Sequence, residues 1–362
     1  MRHLLLIALL AGGCIPALQG QSAMLLQSPT GKTFSAQEMD DYLVHLMDSL
    51  QIPGTSIAVL NQGEVVYQRN LGVTDWENKT PITATTTFEA ASLSKPIFAY
   101  FMLKLAEQGQ IDLDAPLYTY MDHPGFDEDA KPAYKTITPR MVLCHSAGLP
   151  NWVNGQNGEL LSLAFPPGEG FSYSGEAYQW LAAGVGTHLE LGWSLPFDSL
   201  FRATVTLPLG MEHTSFTWSD YHAANKSKAH IGTEVRARDF QPKSVGAGYS
   251  LHSSAAEYAL FIREMIKGSL LSETWKAEML REQNPIPENN PTYETGQTGW
   301  SLGFAIKPTE YGTRYLHTGN NPGFMSYTCF YPESGFGLVV FLNCDQIEPF
   351  YEGLGNFLDD PF

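Results

Sequence analysis

Ser92 and Lys95 stand three residues apart in the segment SLSKPIFAYFMLKLAEQG, where apolar residues recur at helical spacing. Residues three apart in a helix lie on one face, so both side chains can point into one pocket at the positively polarised start of the helix. A serine hydroxyl is a weak nucleophile until a base removes its proton, and a buried lysine that is kept neutral can do this. The pair predicts nucleophilic catalysis, although a capping serine followed by an exposed lysine has the same spacing.

Tyr173 lies in the segment PPGEGFSYSGEAYQW, on a loop just before a predicted helix. Loop tyrosines commonly anchor a core. A tyrosine beside a lysine cation, however, loses its proton more easily and can relay it. If the fold brings Tyr173 to Ser92, we expect it to take part in the chemistry.

His317, Thr318 and Gly319 lie in the segment YLHTGNNPGF, which is typical of a strand that ends in a turn. Strand alternation places the side chains of His317 and Gly319 on one face of the sheet and that of Thr318 on the other. A glycine in a strand lets a substrate backbone approach closely. Taken alone, the segment is equally well explained as a strand that runs into a glycine-rich turn.

The elements that must position these residues follow from local patterns. Ser35 and Glu38 form a capping-box pattern that predicts a helix, and the next apolar stretch predicts a hairpin with its turn near residues 61–63. The helix that contains Lys95 should run from about Ser92 to Gln108, because Gly109 follows. Residues from about 110 to 245 are rich in helical and turn patterns.

Beta patterning returns in the C-terminal third of the chain, in the segments GWSLGFAIKP, TRYLHTG, FMSYTCFYP and FGLVVFLN, and a helix follows them. A hairpin, then helices, then antiparallel strands and a last helix indicate an α/β (α+β) fold. We expect the strands of both chain ends to share one antiparallel sheet flanked by helices, with a mostly helical domain inserted.

The composition restricts the partners and cofactors. The chain of 362 residues carries a formal net charge of -17, which repels phosphate backbones, so a nucleic-acid partner is not expected. No His-Glu-x-x-His, cysteine-pair or clustered Asp-His spacing predicts a metal site. The expected partner is a small-molecule or peptide substrate.

Residues 1–20 have the layout of a secretory signal, with Arg2, a short apolar run and then small residues. Cys14 follows LLAGG, which resembles a bacterial lipoprotein cleavage box with one extra glycine. We therefore expect export to the periplasm of a bacterium, or membrane attachment through a lipid on Cys14, with residues 21–362 as the catalytic unit.

The order of these motifs resembles the serine beta-lactamase-related family, which includes class C beta-lactamases, DD-peptidases and related esterases. The segments LCHSAGLP, PLGMEHTSF and GAGYSLHSSAAEYALF stand at suitable intervals between the motifs, so the resemblance covers nearly the whole mature chain. It implies the beta-lactamase/transpeptidase-like fold, with an active site in the cleft between the α/β domain and the helical domain. It implies no cofactor and no metal.

The resemblance also implies roles for single residues. Ser92 would be the acylated nucleophile, Lys95 its activating partner and Tyr173 a proton relay; how the base role divides between such a lysine and tyrosine is disputed. The backbone NH groups of Ser92 and Asn320 would form the oxyanion hole.

The opposite wall of the cleft would be lined by His317, Thr318 and Gly319, and Thr318 could help hold a substrate carboxylate. A histidine there would make the charge of the wall depend on pH near neutrality. One position departs from the family pattern: the Tyr-x-Asn motif ends in Gly175 here, so the amide that binds an acylamino side chain is missing. This puts beta-lactam and D-Ala-D-Ala specificity in doubt.

These patterns lead to the hypothesis of an exported serine hydrolase that forms an acyl-enzyme on Ser92 and acts on esters or amides. A DD-carboxypeptidase, penicillin-binding protein or beta-lactamase is the alternative within enzymes. A catalytically weak binding protein for peptides or cell-wall fragments is the alternative outside them. His145 and His252 are expected to brace loops, and loops such as those around Trp152 and Tyr221 should build the cleft walls.

Overall fold

The computed structural model describes residues 25–123, 125–126, 131–153 and 160–360. The predicted signal segment and Cys14 lie outside the described residues. The three cysteines within them, at positions 144, 329 and 344, are all buried. No helix in the described ranges combines the length and the apolar character needed to cross a membrane.

The helices and strands follow one another from a short N-terminal strand pair to a C-terminal helix. The helices are α1 Ala36–Leu50, α2 Ser94–Glu107, α3 Lys131–Tyr134, α4 Pro139–Leu143, α5 Gly175–His188, α6 Leu195–Phe201, α7 Leu207–Leu209, α8 Asp220–Asn225, α9 Ala255–Lys267, α10 Glu273–Leu280, α11 Pro291–Glu294 and α12 Ile347–Leu358. The strands are β1 Leu26–Gln27, β2 Thr33–Phe34, β3 Gly54–Asn61, β4 Glu64–Asp75, β5 Thr80–Pro81, β6 Phe88–Glu89, β7 Ala229–Ile231, β8 Glu234–Arg236, β9 His252–Ser253, β10 Asn284–Pro285, β11 Gly299–Trp300, β12 Ala305–Thr309, β13 Gly312–Asn321, β14 Phe324–Tyr331 and β15 Phe336–Leu342.

A nine-stranded antiparallel sheet has the strand order β10-β11-β12-β13-β14-β15-β3-β4-β5. The C-terminal strand β15 pairs with β3 of the N-terminal hairpin, with Leu342 opposite Thr55 and Gly337 opposite Leu60. Both central strands are buried along nearly their whole length. The prediction that the two chain ends share one antiparallel sheet is confirmed.

Helices cover both faces of the sheet. On one face Tyr42 of α1 stacks on Phe357 of α12, and Tyr351 of α12 packs against Tyr327 of β14. On the other face Tyr258 of α9 packs edge-on against Phe341 of β15. The helix α1 begins with the predicted capping box, in which Ser35 and Glu38 satisfy each other's backbone NH groups.

The described part of the chain between α2 and α9 contains the helices α3 to α8, the short hairpin of β7 and β8, and the strand β9. Two contacts tie this region to the sheet domain close to Ser92. Strand β6, just before Ser92, pairs with β9 after the helices, and the NH of Ala90 donates to the carbonyl of Leu251 at 2.8 Å. The helical region therefore packs against the loop that carries Ser92.

Candidate active site

Ser92 lies in a 3-10 turn, Ala91–Leu93, and the α-helix begins only at Ser94. The sequence predicted a helix from about Ser92, so the start is corrected by two residues. Ala91, the first residue of this turn, has a φ of 49°, which lies in the left-handed region outside helical geometry. The NH of Leu93 closes the turn onto the carbonyl of Ala90 at 3.0 Å, and the side chain of Ser92 stays partly exposed.

Lys95 is completely buried in the first turn of α2, and its amine points at the nucleophile candidate. Its Nζ donates to Ser92 Oγ at 3.0 Å and to the backbone carbonyl of Gly248 at 2.9 Å. Among the residues that the structure describes, no carboxylate forms an ion pair with it. Burial lowers the pKa of Lys95 to about 7, so a large share of the amine is neutral at neutral pH.

Tyr173 comes to the same place from the loop before α5. Its ring centre lies 4.7 Å from Lys95 Nζ, so the amine sits over the face of the ring. Burial raises the pKa of Tyr173 above its usual range, although a hydrogen bond with Ser92 acts in the opposite direction. The lysine was expected to ease the loss of the tyrosine proton, whereas burial shifts the pKa of the phenol in the opposite direction.

Two histidines and a tryptophan surround Tyr173. The ring of His145 lies 4.4 Å from that of Tyr173, and the rings of Trp300 and His317 lie at 5.8 and 6.0 Å. His145 Nδ1 accepts the backbone NH of Ser174 at 3.1 Å. This is the bracing contact predicted for His145, and it orients the residue that caps α5.

His317 Nδ1 donates to the carbonyl of Thr318 at 2.7 Å, and its Nε2 has no partner among the described residues. Burial, together with the charge of Lys95, lowers the pKa of His317 to about 3. The expectation that this histidine makes the charge of the wall titrate near neutrality is therefore not met. His317 is a neutral ring that faces Tyr173.

Strand β13 carries the other predicted wall residues, and its faces alternate as the sequence predicted. Gly319 is buried toward the loop of Ser92: a Cβ there would lie 2.1 Å from Ser326 Oγ and 2.7 Å from the carbonyl oxygen of Ala90. The chain itself already fills the space in which a substrate backbone was expected. The glycine instead lets β13 approach Ala90 and Ala91, which brings Asn320 beside the turn that carries Ser92.

The side chain of Thr318 is exposed to solvent. It lies on the face of β13 on which α12 packs, but α12 does not bury it. It lines a cavity together with Leu316, Tyr327 and Tyr351. The structure thus brings together the side chains of Ser92, Lys95, Tyr173 and His317, and it leaves the side chain of Thr318 on the opposite face of the sheet.

Gly175 opens helix α5 at the position where the resemblance led us to expect asparagine. A Cβ on Gly175 would lie 2.2 Å from Cζ2 of the Trp152 ring. The indole of Trp152 therefore occupies the space into which a side chain at this position would project.

Sequence reasoning missed two residues of the site. Gly248 contributes only a backbone carbonyl to Lys95, which leaves no side-chain signature, although its segment had been noticed for its likeness to the family. The pattern around Trp300 predicts a strand and no role in the site, but its ring packs against His145, Tyr173 and His317. In the described ranges no three potential metal ligands converge on one point.

Comparison with known proteins identifies the fold and the family. The family described as Beta-lactamase matches residues 39–355, which is most of the chain. The chain belongs to this family. Members of the beta-lactamase family are serine hydrolases.

Curated relatives from two bacteria share about a quarter of the residues. "Protein flp" of Staphylococcus aureus (strain NCTC 8325 / PS 47) is 24% identical over 330 residues, which cover 86% of this chain and 64% of that protein. "Esterase EstB" of Burkholderia gladioli is 24% identical over 322 residues, covering 74% of this chain and 79% of the relative. The chain thus spans less than two thirds of the length of Protein flp.

Solved structures agree on the fold. The octameric penicillin-binding protein homologue from Pyrococcus abyssi superposes with a TM-score of 0.75 at 21% identity, over 90% of this chain and 78% of that one. A structure titled SurE superposes with a TM-score of 0.73 at 20% identity, over 90% and 75% of the two chains. The predicted beta-lactamase/transpeptidase-like fold is confirmed.

Proposed function

We propose that the protein hydrolyses ester or amide substrates through an acyl-enzyme on Ser92. The observation that carries this proposal is the buried amine of Lys95, which lies 3.0 Å from Ser92 Oγ and has only uncharged partners in the described part of the chain. A buried amine without a counter-ion favours its neutral form, and a neutral amine can accept a proton.

In the first half of the reaction, Lys95 accepts the hydroxyl proton while Ser92 Oγ attacks the carbonyl carbon. The negative charge that develops on the carbonyl oxygen is stabilised by the backbone NH groups of Ser92 and Asn320. Tyr173 stays protonated, so it donates its proton to the departing alcohol or amine and takes one back from the Lys95 ammonium. The ester or amide bond breaks, and the acyl group remains on Ser92.

Water completes the cycle. Lys95 is again neutral and accepts a proton from the Tyr173 hydroxyl, which takes one from water in exchange while the water oxygen attacks the acyl carbon. The bond to Ser92 Oγ breaks, and this oxygen recovers its proton. The carboxylic acid leaves, and the site returns to its starting state.

Ester hydrolysis is the activity that we favour within this chemistry. The relative from Burkholderia gladioli is named an esterase, and Gly175 offers no amide to read an acylamino group. The His317-Thr318-Gly319 sequence keeps a DD-carboxypeptidase or penicillin-binding protein as the second candidate. A binding protein without turnover is less well supported, because Ser92, Lys95 and Tyr173 are all present.

Hydrolysis of p-nitrophenyl acetate by residues 21–362 tests the proposal. We expect turnover, a loss of about a thousandfold or more in kcat for Ser92→Ala, and an acetyl adduct on Ser92 in acid-quenched samples. Ser49→Ala in α1 is the matched control and should keep full activity. Turnover that persists in Ser92→Ala would overturn the mechanism, while stable labelling of Ser92 by penicillin without ester turnover would favour the peptidase.

Export is proposed on the sequence of residues 1–20 alone. In a bacterial host, the mature protein should begin near Gln21 in the periplasm, or at a lipidated Cys14 in the membrane fraction. Mass spectrometry of the N-terminal peptide distinguishes the two, with Cys14→Ser as the control. An unprocessed N-terminus that starts at Met1 would contradict export.

A further inference from the structure

Trp152 is a large apolar side chain that stands open to solvent beside the site. It is 48% exposed, although its ring covers two backbone positions closely. A Cβ added to Gly175 would lie 2.2 Å from Cζ2 of the indole, and one added to Gly248 would lie 3.2 Å from its Cη2. One part of the ring is therefore packed on glycine backbone, and the rest faces the solvent.

Gly248 connects this tryptophan to the reacting groups. Its carbonyl accepts a hydrogen bond from Lys95 Nζ at 2.9 Å, and Ser92 Oγ lies 3.4 Å from the same oxygen. The indole thus rests on the residue that touches both the nucleophile and its base. One edge of this ring therefore lies close to Ser92, with Gly248 between them.

Tyr249 extends the apolar surface on the same side. Its ring meets that of Trp152 edge-on at 5.6 Å, and its carbonyl accepts a hydrogen bond from Asn321 at 3.2 Å, which ties it to β13. Burial, and then the negative charge of Glu176, raise the pKa of Tyr249. A carboxylate close enough to act on Tyr249 disfavours an anionic substrate group beside that ring, so the surface suits uncharged groups.

We propose that Trp152 and Tyr249 form an aromatic wall that binds an uncharged, hydrophobic group of the substrate, in its acyl or its alcohol portion. This inference rests on the function proposed above and adds the substrate class. Exposed aromatic rings beside a reacting centre gain free energy by covering apolar surface. The wall replaces hydrogen-bonding recognition by an amide with apolar recognition.

The glycine at position 175 is a requirement of this wall. An alanine there would place its Cβ inside the contact distance of the indole, and the half-exposed ring would have to swing away. The helix itself should tolerate the change, because alanine is a better helix former than glycine. Gly175→Ala is therefore a way to displace Trp152 without deleting it.

Two ester series measure the effect of the wall. The acyl series consists of p-nitrophenyl acetate, butyrate and hexanoate, and the alcohol series of ethyl, butyl and benzyl acetate. We expect Trp152→Ala to reduce the ratio of kcat/KM for the longest to the shortest ester about tenfold in at least one series, since a few methylene groups lose their contact. The series that responds identifies which portion of the substrate meets the wall.

Trp193→Ala is the matched control, because Trp193 is also 48% exposed and is not part of the wall. It should leave both ratios unchanged. Gly175→Ala should lower the same ratio as Trp152→Ala, and the double variant should be no worse than Trp152→Ala alone. Unchanged ratios in both series for Trp152→Ala, with a wild-type-like melting temperature, would overturn the proposal.

A binding measurement separates the wall from the catalytic proposal. Ser92→Ala should bind p-nitrophenyl hexanoate, and adding Trp152→Ala should weaken that binding about tenfold. Equal binding by both proteins overturns the wall, whatever the wild-type turnover is. If the wild type shows no turnover and the variant with both Ser92→Ala and Trp152→Ala binds more weakly than Ser92→Ala, the hydrolase proposal would be refuted and the wall supported.

Discussion

Lys95 is completely buried and Lys226 is largely buried, and the two lysines differ in their partners. Lys95 Nζ contacts a hydroxyl and a carbonyl oxygen, whereas Lys226 Nζ contacts the carboxylate of Glu89 at 2.7 Å. Glu89 is fully buried three residues before Ser92, and Arg238 also pairs with it at 2.8 Å. Burial lowers the pKa of both lysines, but the charge of Glu89 opposes this effect at Lys226.

The difference explains why Lys95 can act in catalysis whereas Lys226 stabilises the fold. A buried charge with a hydrogen-bonded counter-ion is held in its ionised form and links the elements that carry it. Here the pair links β6 to the residue just after α8. A buried amine without a counter-ion costs stability in its charged form and is therefore easily deprotonated. Only Lys95 can exchange protons with Ser92.

The largest expected effect is a separation of activity from stability between the two lysines. Lys95→Met should reduce kcat about a thousandfold or more and leave the melting temperature equal or higher, because a poorly solvated amine is removed. Lys226→Met should lower the free energy of unfolding by about 2 to 4 kcal/mol, since Glu89 loses one of its cations. Esterase assays and urea denaturation of both variants test this.

The folded fraction of Lys226→Met should keep a kcat within about twofold of the wild type. A Lys95→Met protein that retains turnover, or a Lys226→Met protein with full stability and no turnover, would contradict the assignment of the two lysines.

The pH dependence should give the second largest effect. Deprotonated Lys95 is the active form and its pKa is about 7, so kcat/KM should fall about tenfold per pH unit below this value. Tyr173→Phe should lower kcat but keep the same acid limb, because the phenol is not the group that titrates there. An acid limb that disappears in Tyr173→Phe would transfer the base role to the tyrosine.

The same ionisation affects stability. The pKa of Lys95 is lower in the folded than in the unfolded protein, so the unfolded state binds more protons between pH 7 and about 10.5. Stability from this group therefore rises with pH across that window, and its charged form is a penalty that is fully present below pH 7. Lys95→Met should flatten this rise in urea denaturation curves measured from pH 7 to 10, whereas Ser49→Ala should not.

The smallest expected effect concerns the loop between the two centres. Ala91 adopts a left-handed conformation that costs an alanine about 1 kcal/mol, and it stands between Glu89 and Ser92. Ala91→Gly relieves this strain but loosens the unfolded chain, so the free energy of unfolding should change by less than about 0.5 kcal/mol. We expect kcat to fall about threefold as Ser92 becomes less well positioned. A kcat equal to that of the wild type would show that the ion pairs of Glu89 with Lys226 and Arg238 are enough to position Ser92.

Local patterns were enough to predict many of the helices and strands and their order along the chain. The capping box of α1, the N-terminal hairpin and the alternation along β13 depend on neighbouring residues, so they could be read directly. The start of α2 could not, because the neighbouring residues give no sign of the left-handed Ala91 or of the 3-10 turn that carries Ser92. The side chain of Thr318 lies where strand alternation predicts it, on the face of β13 opposite to that of His317.

By itself, the sequence determined which side chains could do chemistry and, through the order of its motifs, the family and the fold. Only the tertiary structure decided their states. Lys95 is removed from solvent and has no carboxylate partner among the described residues, and His317 is neutral. The space into which a side chain at Gly319 or Gly175 would project is occupied by Ser326 or Trp152. These properties depend on groups that are far apart in the chain and meet only in the folded protein, because desolvation and steric exclusion act through space.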